Sequence, residues 1–294
     1  MSESAQPLDL GRLSGPVLVF GGPYSNLAAT RAMRQRADDL QIPSAQVICT
    51  GDVIAYCAEP QETLQLIRNW GISVVQGNCE ESLGADAPDC GCGFAEGTTC
   101  SLLSVEWYQY ATRKISTDDR VWMQNLPRSI TFKLAGRTLK VVHGGVNQNN
   151  RFIFPSTPEA VKREELDLAD SDILIGGHSG IPWGQKIDQR VWLNSGVIGL
   201  PANDGTPDGW FLLLSPERGD IRCNWQRLSY AAVQAGHNMC EAGLQSGYAK
   251  TLVTGLWPSM DVLPVAERSR RGKAIVMEDL VYTGRSSWAH DPII

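Results

Sequence analysis

Five short apolar runs, each closed by a glycine-containing motif, constrain this chain more than any other feature. They are Val17-Leu18-Val19-Phe20 before Gly21-Gly22, Val47-Ile48-Cys49-Thr50 before Gly51-Asp52, and Ile72-Ser73-Val74-Val75-Gln76 before Gly77-Asn78. Leu139-Lys140-Val141-Val142 before His143-Gly144-Gly145 and Ile173-Leu174-Ile175 before Gly176-Gly177-His178 complete the set. Runs of this length, rich in β-branched residues and leucine and bounded by glycine, read as buried strands, and the polar group just past each run sits at a strand's C-terminal end. Open α/β sheets hold their ligands at such ends. Four of the motifs carry Asp52, Asn78, His143 and His178. One carboxylate, one amide and two imidazoles make a mixed oxygen and nitrogen shell that suits Mn, Fe or Zn, whereas calcium prefers more oxygens.

Between the runs the pattern is helical. Asn26 is placed to cap a helix in which Leu27, Met33, Ala37 and Leu40 recur at helical spacing, and Pro43 ends it. Gln61 to Trp70 repeats that pattern with Leu64, Ile67 and Trp70, so the chain begins βαβαβ. Residues 80–100 turn small and polar and read as a long Cys/Gly-rich loop, of a length that is usually functional or disordered. Helical material at 102–112 and 118–125 precedes two strands, Ser129 to Leu134 and Thr138 to His143, joined at Ala135-Gly136. Beyond His178 four more strand-like segments lead to helices near 229–242 and 248–254. The organisation read from sequence is an N-terminal arm (1–15), one domain (16–257) and a C-terminal extension (258–294). The basic cluster Arg268, Arg270, Arg271 and Lys273 in the extension reads as solvated or as a homo-oligomer contact.

Bulk properties narrow the partners. The chain has 294 residues and a formal charge of −6, which advertises neither a nucleic acid nor an anionic membrane. No apolar run is long enough to span a bilayer and no basic leader opens the chain, so a soluble cytoplasmic protein is expected. Eight cysteines without a secretory signal are expected to be reduced. Cys49, Cys223 and Cys240 read as small core residues, while Cys57, Cys79, Cys90, Cys92 and Cys100 fall in or near the motif loops. Of the four histidines, His237 and His290 have no evident partner.

Gly51-Asp52 with Tyr56, Gly77-Asn78-Cys79-Glu80, His143-Gly144-Gly145 and Gly177-His178, in this order, resemble the motifs of the calcineurin-like metallophosphoesterases, and most closely their small bacterial branch. Phe20 to Leu27 stands where that family has its first motif. Asn194-Ser195-Gly196-Val197, with Pro201 and Asp204-Gly205, looks like its closing segment, so the resemblance spans residues 16–226. It implies an α/β fold of four layers, an αββα sandwich, with two metals between the sheets that activate a water against a phosphorus. By position, Asp52, Asn78, His143 and His178 match the four ligands of one metal. The other half-site departs: Gly22 and Tyr24 stand for its first-motif Asp and His, and Gly180 for its last His. One divalent transition metal per chain, and a small phosphorylated substrate, are therefore expected.

Three readings follow. A single metal could act alone as Lewis acid and water activator; Cys57, Cys79, Cys90, Cys92 and Cys100 could rebuild a second site with thiolates; or the chain could bind a metal or phosphorylated ligand without turnover. Cys90, Cys92 and Cys100 lack the paired two-residue spacers of a zinc module, and their loop could instead serve as a lid with Phe94 as its apolar contact. Tyr24 is a candidate catalytic residue, able to hydrogen-bond a phosphoryl oxygen or protonate a leaving group, or else it fills the vacated cation space. Cys79 and Glu80 are candidates to contact the substrate. The Gly21 to Asn26 loop, ending at a helix N-terminus, is a candidate anion cradle.

Overall fold

A computed structural model describes residues 6–244 and 247–283. His290 and the end of the extension lie outside the described residues. The strands are β1 (Leu8–Arg12), β2 (Val17–Phe20), β3 (Val47–Cys49), β4 (Ser73–Val74), β5 (Ser129–Leu134), β6 (Arg137–Val142), β7 (Ile173–Gly176), β8 (Trp183–Ile187), β9 (Arg190–Asn194), β10 (Gly209–Glu217), β11 (Asp220–Leu228) and β12 (Leu280–Tyr282). They form two six-stranded sheets, ordered β1-β5-β6-β7-β9-β8 and β12-β11-β10-β2-β3-β4. β2-β3-β4 run parallel at one end of the second sheet and β6-β7-β9 run parallel within the first; antiparallel β10, β11 and β12 extend the second, and antiparallel β5 and β8 flank the parallel strands of the first.

Strand alternation decides the layers. Val17 and Val19 of β2 point into a core that they share with Val141, Ile175 and Leu193 of the facing sheet. Leu18 and Phe20 point the other way, onto a core made with α1 (Leu27–Asp39), α2 (Pro60–Trp70), α4 (Thr99–Thr112) and α5 (Thr117–Gln124). Outside the first sheet, Leu174 and Trp192 pack against Leu166 and Ala169 of α6 (Glu159–Ala169). The result is the expected αββα sandwich. Strand residues buried on both sides explain why these runs are continuous rather than alternating in hydrophobicity.

Three local differences from the sequence reading have physical causes. Leu8–Arg12, read as part of an arm, forms an edge strand parallel to β5, a pairing more than a hundred residues away in sequence. The start of the presumed loop is α3 (Asn78–Gly84), because the Glu80 carboxylate accepts the Gly77 amide as a capping box closing the first turn. The extension beyond 257 is built into the fold: β12 pairs with β11, and Ile275, Met277 and Leu280 pack on the inter-sheet core. The Tyr282 hydroxyl lies 3.2 Å from Asp172 Oδ1 and 3.1 Å from the Gln189 carbonyl, joining one sheet to the other. No helix among the described residues is long and apolar enough to cross a membrane.

Candidate metal centre

Asp52 follows β3, Asn78 opens α3 just after β4, His143 follows β6 and His178 follows β7. Two side chains thus come from each sheet, all at C-terminal ends of parallel strands. Asp52, His143 and His178 are buried, and one ligand atom from each lies within 4.8 Å of the others, the one such group among the described residues. Asn78 Oδ1 is 2.9 Å from His143 Nε2, which is also 3.3 Å from Asp52 Oδ2 and 3.1 Å from His178 Nδ1.

Three of the four side chains are oriented by main chain. His143 Nδ1 lies 2.7 Å from the Thr50 carbonyl, which can only accept, so Nδ1 carries the proton and Nε2 presents its lone pair. Asn78 donates through Nδ2 to the Cys90 carbonyl at 2.9 Å, which turns Oδ1 toward His143. The Cys79 amide donates to Asp52 Oδ1 at 3.2 Å. The His178 ring rests on Phe152 at 4.1 Å between centroids. No hydrogen bond reaches its Nε2.

Electron pairs on two oxygens and an imidazole nitrogen therefore meet at one point, an arrangement that repels itself unless a cation shares them. A proton can serve. Burial resists a second proton on His143, but the Asp52 carboxylate outweighs it and raises His143 above the ordinary imidazole range. Burial would raise Asp52 as well, yet His143 and then His178 draw it down to about 2. Burial pushes His178 down to about 3, and the neighbouring charge of His143 adds to that. A divalent transition metal satisfies the same donors, and the anchoring of His143 Nδ1 on a carbonyl is the outer bond that metal-binding histidines usually have. The residues fit one such ion.

Beneath the centre, Glu80 is fully buried and accepts the amides of Asp52 at 2.7 Å, Val53 at 2.8 Å and Gly77 at 3.0 Å. Burial and the Asp52 charge push its carboxyl up to about 7, against those amides, which hold it down. Glu80 is thus a brace between two motif loops and has no free face for a substrate. Gly77 permits the approach: a Cβ there would lie 2.5 Å from Asp52 Oδ1 and 2.7 Å from Glu80 Oε2.

The other half of the cleft is aromatic. Tyr24 folds its ring over Gly22, where an added Cβ would meet Tyr24 Cζ at 2.5 Å. Its ring meets Tyr56 edge-on at 4.8 Å, and Tyr56 in turn packs on Tyr248 at 4.6 Å. At Gly180 a Cβ would lie 3.3 Å from the Trp257 ring. Tyr24 and Trp257 thus occupy the space that side chains at positions 22 and 180 would need. Burial, then the Asp52 charge, raises the Tyr24 phenol well above its usual range, so it is a proton donor and no base.

Several expectations are corrected. The Gly21 to Asn26 loop is no anion cradle, because the amides of Gly22, Tyr24, Ser25 and Asn26 already donate to the carbonyls of Gly51, Asp52, Val53 and Pro23. Asn26 is the helix cap expected of it, its side chain accepting the Ala29 amide at 3.1 Å. Cys79 does not line the cavity beside the centre; burial raises its thiol, which accepts the Asn78 side-chain amide at 3.6 Å, and its main-chain amide donates to Asp52. Cys90 and Cys92 are joined as a disulfide rather than reduced, which removes both as thiolate ligands. Cys92 and Cys100 line the cavity, but none of the cysteines joins the Asp52 group. Cys57 is buried with its thiol raised by that burial. Thr50, Phe152 and Trp257 were not foreseen; Thr50, directly before Gly51-Asp52, is the one whose place in sequence could have drawn notice.

Comparison with known proteins agrees with this geometry. Residues 25–218 match the model of the calcineurin-like phosphoesterase superfamily domain. An uncharacterized protein of Methanocaldococcus jannaschii is 25% identical over 190 residues, 63% of this chain and 70% of that protein. The fold is similar to that of a hypothetical protein from Pyrococcus horikoshii OT3, with a TM-score of 0.69 at 17% identity, covering 82% of this chain and 98% of that one. It is also similar to a metallophosphoesterase from Sphaerobacter thermophilus, with a TM-score of 0.64 at 19% identity, covering 83% of this chain and 100% of the other. A domain match across most of the chain, with the motif residues converging where the two sheets meet, means that this chain belongs to the calcineurin-like phosphoesterase superfamily.

Proposed function

We propose that the chain binds one Mn, Fe or Zn ion through Asp52, Asn78, His143 and His178 and hydrolyses a small phosphate ester in the cytoplasm. The observation behind this reading is the meeting of Asp52, Asn78 and His143 lone pairs within 3.3 Å, with the protonated nitrogen of His143 turned away to a carbonyl. A divalent ion held there supplies Lewis acidity and lowers the pKa of water. The chain's residues do the rest. Asp52 and His143 fix the donor geometry through Glu80 and Thr50, and Phe152 holds the His178 ring. Tyr24, which keeps its proton, offers a hydroxyl donor from the cavity wall. No nucleic acid partner is expected from the acidic net charge of −6.

The test is elemental analysis of the purified protein together with hydrolysis of bis(p-nitrophenyl) phosphate. Near-stoichiometric metal and turnover, both lost in Asp52→Ala, are expected; absence of bound metal after reconstitution with Mn, Fe and Zn would sink the reading. A second reading, ligand binding without turnover, is favoured by the aromatic side chains in place of the second cation. Metal retention with no hydrolysis of any ester would select it.

A further inference from the structure

The cavity beside the candidate centre is walled by Tyr24, Tyr56, Phe152, Leu200, Tyr248 and Trp257, with Asp52 and His178 at its base. Among the described residues, no lysine or arginine lines it. Its volume is about 60 Å3, less than half of the ~150 Å3 that admits a benzene. Phosphate sites are ordinarily furnished with Arg, Lys or free amides. Here the amides of Gly22, Tyr24, Ser25 and Asn26 are already engaged by carbonyls, so an anion's charge is met chiefly at the metal. A dication beside the Asp52 carboxylate leaves one positive charge, which matches one negative charge on a ligand. Whatever else the ligand carries must be uncharged and compact.

The geometry points to an apolar acceptor pocket in the place of the second cation, taking a short alkyl group of a phosphorus oxyanion whose head lies at the Asp52, His143 and His178 centre. This rests on the metal-site reading above. Tyr24 and Trp257 then have a use beyond filling space: they are specificity-determining walls, and the Trp257 indole is held in place by its Nε1 donating to the Pro201 carbonyl at 2.7 Å. Val262 stands on the same cavity, half-buried, where a larger side chain narrows it without disturbing the sheets.

The test uses full-length zinc-loaded protein titrated calorimetrically with methyl-, ethyl-, propyl- and hexylphosphonate, which share one head and differ only in chain. Affinity is expected to rise about fourfold per methylene up to propyl and then to level off. In Val262→Phe the gain from methyl to propyl is expected to vanish; in Trp257→Ala the levelling-off moves to longer chains. Equal affinity across the series, or a gain that survives Val262→Phe, would overturn the pocket. The same series on zinc-free protein separates the two ideas. Undiminished binding without zinc would overturn the metal reading, while dependence on chain length would still decide the pocket.

Discussion

The two halves of the cleft are held by different physics. On one side, Asp52, Asn78 and His143 are each fixed by a hydrogen bond to main chain, from the Cys79 amide and to the Cys90 and Thr50 carbonyls. On the other, Tyr24, Tyr56 and Tyr248 are held by ring packing, and Trp257 stands over Gly180 with its Nε1 donating to the Pro201 carbonyl. Hydrogen bonds are directional and fix donor atoms within tenths of an ångström, whereas packing fixes volume and tolerates change of chemistry. The chain keeps directional control where electron pairs meet, and uses shape on the aromatic side.

That contrast can be broken at graded cost. His143→Ala removes the nitrogen around which the other donors gather, so bound metal should fall to background by elemental analysis with the fold intact by circular dichroism. Glu80→Ala leaves the amides of Asp52, Val53 and Gly77 without their acceptor; a loss of about 3 kcal/mol in urea unfolding is expected, since each orphaned buried group costs ~1–3 kcal/mol and water recovers part of it. Gly77→Ala forces a methyl against Asp52 Oδ1 and should weaken zinc binding about 10- to 100-fold in a chelator competition, the range seen when outer contacts of a metal site are disturbed. Tyr24→Phe, on the packed side, keeps the ring and removes only the hydroxyl. Metal content should not change, stability should shift by less than about 0.5 kcal/mol, and any effect should be confined to turnover. A large loss of metal in Tyr24→Phe would erase the distinction between the halves.

Much of the polar half was legible in the sequence, because each donor directly follows a strand run and glycine marks the turn that exposes it. Asp52 and His178 both sit at positive φ, and the expected helix cap at Asn26 is present. The packed half was not legible. Trp257 lies 77 residues beyond Gly180, and nothing local to either residue announces that they meet. Glu80 was visible as a residue but not as a brace, since its partners are amides of a loop 26 to 28 residues earlier. Leu8–Arg12 and Leu280–Tyr282 escaped for a similar reason: short edge strands derive their conformation from a distant neighbour, not from their own composition.

The C-terminal segment has a consequence for the order in which the molecule is made. The four candidate donors lie at positions 52, 78, 143 and 178, while Trp257, Val262 and strand Leu280–Tyr282 come later in synthesis. A chain emerging from the ribosome N-terminus first has all its donors outside before the wall of the cavity exists. The centre is then open on that side during translation and is enclosed only once residue 257 has cleared the exit tunnel. The donors of the centre and the last wall of its cavity are therefore supplied at different stages of synthesis.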